Sequence, residues 1–90
     1  MPVIQVHELA GMTREVYEDA LRELALPGPP PGSHLHASGP MDGGWRIVEG
    51  RASDAAAGAF SGSAAFQRMT RRLGITPNVV ASYPVETVRT

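Results

Sequence analysis

Ninety residues with eight arginines, no lysine, nine acidic side chains and a formal charge of −1 leave no basic field for nucleic acid or an anionic membrane. The absence of lysine excludes a Schiff base. The absence of cysteine excludes thiol nucleophiles, disulfides, thiolate zinc sites and iron–sulfur clusters.

Chemistry therefore falls to His, carboxylates, hydroxyls, Arg and Trp. A chain this short buries only roughly 60–65% of its unfolded surface, so one domain over residues 1–90 with a thin core is expected, and a second copy would add to that core. The opening "MPVIQVHELAGM" has no basic segment followed by a long apolar run, and no stretch approaches the length of a membrane span. A cytoplasmic protein is expected.

In chain order, "PVIQVHEL" is rich in β-branched residues and predicts a strand over Val3 to Glu8. Thr13 then offers an N-cap to "REVYEDALRELAL", where Val16, Tyr17, Ala20, Leu21 and Leu24 form one apolar stripe. The connector "LPGPPPGS" can neither continue the helix nor enter a central strand. "HLHAS" and "WRIVEGR" follow as strands joined by a turn containing Asp-Gly, a strong hairpin signal.

Ser53 caps a second helix beginning "DAAAGAF". Phe60 shares no clean stripe with Phe66, Met69 and Leu73, so the intervening "SGS" kinks or splits that helix. Gly74 suits its C-terminal stop. "VVASYPVETV" reads as a last strand, held to a sheet edge or bulged by Pro84. The order β-α-β-β-α-β predicts an α+β ferredoxin-like domain with a four-stranded antiparallel sheet and two helices on one face.

An even loop at "MDGG" places Pro40 opposite Trp45, Ser38 opposite Ile47, His36 opposite Glu49 and His34 opposite Arg51. Alternation then gathers His34, His36, Ser38, Trp45, Ile47, Glu49 and Arg51 on one face. An odd loop or a bulge would slip the register and separate His36 from Glu49.

A carboxylate can fix a histidine's tautomer and leave the other ring nitrogen to move a proton near neutral pH. The candidate catalytic set is therefore His36 as general base, Glu49 as its orienting partner and Arg51 as the group that holds a developing enolate or phenolate oxygen. Trp45 would stack on a flat substrate. The competing reading is a solvent-exposed sheet face carrying ordinary charge pairs.

His-x-His at positions 34 and 36 can also supply two metal ligands, with Glu49 or His7 as a third. That signal lacks a second ligand pair, and no metal or other cofactor is expected. Further candidate substrate contacts are His34, His7, Tyr17, Phe60, Phe66 and Tyr83. Each has a plain structural alternative as a strand-end, edge or core residue. Arg68, Arg71 and Arg72 suit a solvated helix end. No nucleophile elbow, P-loop or dinucleotide fingerprint is present.

The string "HASGPMDGGWRIVEGRAS" followed by an Ala-rich helix resembles small bacterial members of the dimeric α/β-barrel superfamily, the group that includes antibiotic-biosynthesis monooxygenases. The matching positions are His7, Glu8, His36, Gly39, Pro40, Asp42, Gly43, Gly44, Trp45 and Arg46. Gly50 and Arg51 depart from the pattern, standing where a bulky apolar residue and an aromatic are usual. The small-residue-rich second helix departs as well.

The resemblance implies a homodimer whose sheets face each other, with a small-molecule pocket between sheet and helices in each subunit. It also implies members of differing chemistry, from oxygenases that work without metal or flavin to polyketide cyclases, isomerases, haem-binding enzymes and proteins without known catalysis. With the one-face cluster, the leading expectation is a cofactor-free enzyme on an apolar aromatic or polyketide-like metabolite. Monooxygenation in natural-product biosynthesis is the first expectation, and a cyclase or isomerase is the second. A non-catalytic dimeric binding or stress protein is the opposing class.

Overall fold

Alternating side chains along the first strand, β1 (Val3–Ala10), send Val3, Gln5, His7 and Leu9 to one face of a sheet and Ile4, Val6 and Glu8 to the other. In the computed structural model, which describes residues 1–26, 28, 30 and 32–87, it is followed by α1 (Arg14–Leu24), β2 (Ser33–Met41), β3 (Gly44–Arg51), α2 (Asp54–Ser61), α3 (Ala64–Leu73) and β4 (Val79–Pro84). The four strands form one antiparallel sheet in the order β2-β3-β1-β4. Pro84 therefore lies on an edge strand, where a missing N–H breaks no ladder.

Local chemistry sets the helix boundaries. The Val16 N–H donates to Thr13 Oγ1 at 3.2 Å, and the Ala56 N–H donates to Ser53 Oγ at 3.0 Å. Two helices were expected; among the described residues there are three. At "SGS" the chain stops at Gly62 and restarts with Ser63, whose hydroxyl oxygen accepts from the Phe66 N–H. The new cap gives α3 its own axis and brings Phe66 against Phe60, with ring centroids 5.2 Å apart.

Of the proline connector, Pro27, Pro29 and Pro31 lie outside the described residues. So does Val88, the last residue of the expected final strand, which ends at Pro84.

The hairpin loop is two residues long, because Met41 pairs with Gly44. Gly43 supplies the positive φ (75°) that the turn needs. Gly44 is required for a different reason: a Cβ there would stand 2.3 Å from the Leu9 carbonyl oxygen of β1.

From this loop the expected register runs as far as Leu35 opposite Gly50 and then shifts by one, so that Ser33, not His34, faces Arg51. The bulge has a physical origin. The Ala52 N–H is anchored to the Gly32 carbonyl at 2.7 Å, and the chain between that anchor and Leu35 has one residue more than its partner strand. A side chain at Gly50 would crowd Leu35, whose Cβ would be 3.2 Å away, so the close approach there depends on glycine.

The apolar cluster sits at the hairpin end of the sheet. Leu9, Met12 and Trp45 are buried together, with Val16, Tyr17, Ile47 and Ile75 against them. Toward the other end of the same face the packing opens into a cavity.

Candidate active site

The helices cover one face of the sheet and leave a cavity of about 730 Å³ against it. Its wall is mostly apolar, with Leu9, Met12, Leu21, Phe60, Phe66 and Met69 among the lining residues. Polar groups enter from the sheet and α1, with Asp54 and Ser61 of α2 also on the wall. His36 comes from β2, Glu49 and Arg51 from β3, His7 from β1 and Tyr17 from α1.

These side chains form one connected chain. His36 stands opposite Glu49 in the ladder, and its Nδ1 lies 2.7 Å from Glu49 Oε1. Glu49 uses its second oxygen to accept from an Arg51 guanidinium nitrogen, two positions along β3 on the same face. Arg51, only 3% exposed, also lies over the Phe60 ring, 4.7 Å from its centroid. At the other end, the Tyr17 hydroxyl lies 2.5 Å from His36 Nε2.

The donors and acceptors follow from the inventory of each group. An ionised carboxylate only accepts, so Nδ1–H of His36 donates to Glu49, Nε2 keeps its lone pair, and the Tyr17 O–H donates to it. Burial pushes the His36 pKa below its ordinary value, and the positive charge of Arg51 lowers it further. His7 is lowered in the same direction by burial first, then by Arg51 and His36. Burial also lowers Arg51. Both cavity imidazoles are thus held toward the neutral form.

Seven of the ten expected site residues, His36, Glu49, Arg51, His7, Tyr17, Phe60 and Phe66, line this cavity. The other three do not. Trp45 is only 5% exposed and belongs to the packed cluster with Leu9 and Met12. Its ring supports Tyr17 at 5.4 Å and carries Arg14 on its face at 5.3 Å, so it is a wall behind the site and not a stacking platform. His34 is exposed in the bulge of β2. Tyr83 pairs with Ile4 on the opposite face of the sheet and is 51% exposed.

Arg51 gives one guanidinium nitrogen to Glu49, while its Nη1 is buried without a hydrogen-bond partner among the described residues. Among the described residues no three His, Asp or Glu side chains converge as a metal-ligand set. The histidine pair cannot supply two such ligands once His34 leaves the cavity face.

Several lining residues had no distinguishing signal. Gln5 lies opposite Glu49, and Ser33 reaches the cavity through the bulge that places it opposite Arg51. Alternation with His7 marks Gln5 as inward-facing. Nothing local marks Ser33. A separate open depression of about 410 Å³ between α1 and α3 is bounded by Asp19, Arg22, Glu23 and Arg72. Its charges are paired with one another.

No helix among the described residues is long and apolar enough to cross a membrane. The sequence matches no protein-family model, and no curated protein is significantly similar to it. Solved structures do resemble it. A variant of SnoaB, a cofactor-independent oxygenase from Streptomyces nogalater, superposes with a TM-score of 0.71 at 14% identity, over 97% of this chain and 95% of that one.

A Deinococcus radiodurans protein provisionally named an antibiotic biosynthesis monooxygenase gives 0.64 at 12% identity, over 100% and 97%. One from Chloroflexus aurantiacus J-10-fl with the same provisional name gives 0.60 at 16%, over 98% and 95%. The chain thus has the ferredoxin-like fold of the antibiotic biosynthesis monooxygenase-like structures.

Proposed function

We propose that this protein is a cofactor-free monooxygenase acting in the cytoplasm on a flat, apolar aromatic or polyketide-like small molecule. The observation that carries this reading is a neutral imidazole, oriented by a carboxylate and aimed at an apolar cavity. A positioned base of this kind typically contributes 10²- to 10⁴-fold. The likeness to a cofactor-independent oxygenase supports the direction of the chemistry.

The reaction needs an enolisable or phenolic substrate. Proton removal by the His36–Glu49 pair leaves an electron-rich enolate that can reduce dioxygen. In the balanced outcome a CH₂ group and O₂ become a C=O group and water. The apolar wall favours a neutral ring system, and the polar end faces the carbon that loses its proton.

Oxygen uptake with enolisable aryl ketones such as 2-tetralone tests the proposal. The expected result is one O₂ consumed per ketone oxidised, and loss of uptake in His36→Gln. Conversion that proceeds equally well without oxygen would replace it with the cyclase or isomerase reading, which His7 favours as a second imidazole on the cavity wall.

The proposed assembly is a homodimer through the outer sheet face, where Ile4, Val6, Leu35, Val48, Ala81 and Tyr83 lie together. Leu35 and Tyr83 are 46% and 51% exposed, an unusual arrangement for large side chains on a face with no covering layer. Sedimentation equilibrium is expected to give twice the monomer mass, and Leu35→Glu to shift it toward one.

A further inference from the structure

In the site as it stands, the nitrogen that would take a substrate proton is already occupied. Nδ1 of His36 is committed to Glu49, and Nε2 accepts from the Tyr17 hydroxyl. Tyr17 also lines the wall, so a substrate in the cavity finds its phenolic oxygen standing on the ring lone pair.

We propose that Tyr17 is a catalytic residue: its hydroxyl takes the substrate proton and relays its own to His36. This rests on the reading of His36 as the base and adds the group through which that base works.

An apolar helical stripe often carries a tyrosine whose hydroxyl satisfies itself on a nearby carbonyl. Tyr17 differs in its partner, the unprotonated nitrogen of an imidazole whose tautomer a carboxylate fixes. The order hydroxyl, imidazole, carboxylate is the one that activates a hydroxyl in nucleophilic sites; here the phenol carries a proton and forms no covalent bond to substrate. Trp45, with its centroid 5.4 Å from that of Tyr17, keeps the ring from swinging away from His36.

The step balances without any added reactant. The substrate C–H bond breaks and its electron pair stays on the substrate as an enolate. The released proton joins the Tyr17 oxygen as the original phenolic proton crosses to His36 Nε2. Phenol is regenerated, the ring becomes an imidazolium, and Glu49 stabilises that charge through Nδ1–H. No free phenolate accumulates.

The test follows hydrogen–deuterium exchange at C1 of 2-tetralone in anaerobic D₂O by proton NMR, for the wild type, Tyr17→Phe and His36→Gln. ¹⁵N spectra of the histidine rings without probe are recorded in parallel. Phe keeps the ring on Trp45 and removes only the hydroxyl.

The expected result is exchange slowed about 100-fold or more in Tyr17→Phe, at unchanged KM and with His36 still in the Nδ1–H tautomer, and a comparable loss in His36→Gln. Wild-type exchange in Tyr17→Phe beside a dead His36→Gln would overturn the relay and leave His36 acting directly. A changed His36 tautomer in Tyr17→Phe would reduce Tyr17 to a positioning residue and also overturn it. A wild type no faster than buffer, or a His36→Gln variant as fast as wild type, would remove the base reading and the relay together.

Discussion

The inward row of β3 has two ends built on opposite principles. At the hairpin end Trp45 is closed in by Leu9, Met12 and Tyr17, and its contribution is area and shape. At the far end Glu49 and Arg51 are as deeply buried, but they are charged: Glu49 is held by one Arg51 nitrogen and by His36, while Arg51 Nη1 is buried without a partner among the described residues. One strand thus carries the clamp that holds Tyr17 in place and the pair that holds His36 in place. The polar end depends on the packed end for geometry through Tyr17, which packs on Trp45 and bonds His36.

Breaking the packed end gives the largest effect. Trp45→Ala is expected to lower stability by about 3–5 kcal/mol, a large share of what a domain of this size possesses. A shift of the urea midpoint well below that of the wild type checks it. Binding of 2-tetralone should weaken in the same variant although Trp45 does not line the cavity, because Tyr17 loses its support.

At the polar end, Glu49→Gln preserves volume but leaves the Arg51 guanidinium buried without a counter-charge. About 3 kcal/mol of destabilisation is expected, the low end for a broken buried pair, since the Glu49 side chain retains 11% exposure. Adding Arg51→Met in the same chain should recover most of that stability and none of the proton-transfer activity. If the double variant were as unstable as the single one, volume and not charge would be what the pair supplies.

The two ends meet through the hairpin. Gly44→Ala would press a Cβ onto the Leu9 carbonyl oxygen, and overpacking of this kind typically costs about 1–3 kcal/mol. Because the polar end takes its geometry from this packed end, the exchange activity of the folded fraction should fall as well, by less than in Trp45→Ala. Equilibrium denaturation and the exchange assay on one preparation separate the two effects.

The polar end responds to mild acid. His7 and His36 both have folded-state pKa values lowered from 6.5, so below that pH the unfolded chain binds protons that the folded chain resists. Their contribution to stability is complete above 6.5 and is lost as pH falls through the lowered folded values. Urea midpoints from about pH 8 to pH 5 should decline for the wild type, and the decline should flatten in His7→Gln and His36→Gln. A wild-type midpoint that rises on acidification would mean that the cavity favours the imidazolium.

These differences follow what was readable in the residues. The element order was legible because alternation and capping residues act locally. His36 opposite Glu49 was legible because Asp42-Gly43 makes a two-residue turn that fixes the register for the next several pairs. That certainty decays along the strand: the bulge at His34 arises from an anchor between Gly32 and Ala52, which no pattern in β2 announces.

Trp45 and Glu49 share one face, and alternation cannot say which end of that face the helices seal. The Tyr17–His36 contact joins residues 19 positions apart and depends on how α1 docks. A stripe position alone therefore suggested only packing or substrate contact. The pairing of Phe60 with Phe66 likewise depends on the break at Gly62, which changes the helix axis between them.

The smallest effect lies on the opposite face of the same strand. Arg46 points away from the cavity and holds Glu8 across the β1–β3 ladder, with its Nε and a terminal nitrogen both within 3.0 Å of one carboxylate oxygen. Both side chains remain substantially exposed, Arg46 at 49% and Glu8 at 31%. In a single copy water screens the pair and rotamer entropy offsets much of its attraction, so Arg46→Ala in the Leu35→Glu background, which is expected to shift the assembly toward one chain, should lower stability by no more than about 0.5 kcal/mol, and by less at high salt. Glu49→Gln and Arg46→Ala each break an arginine–glutamate pair, one within β3 and one from β3 to β1, and burial is the main difference between them. A salt-insensitive loss of several kcal/mol from Arg46→Ala would show that the outer face is as dry as the inner one, as it would be if a second copy covered Arg46.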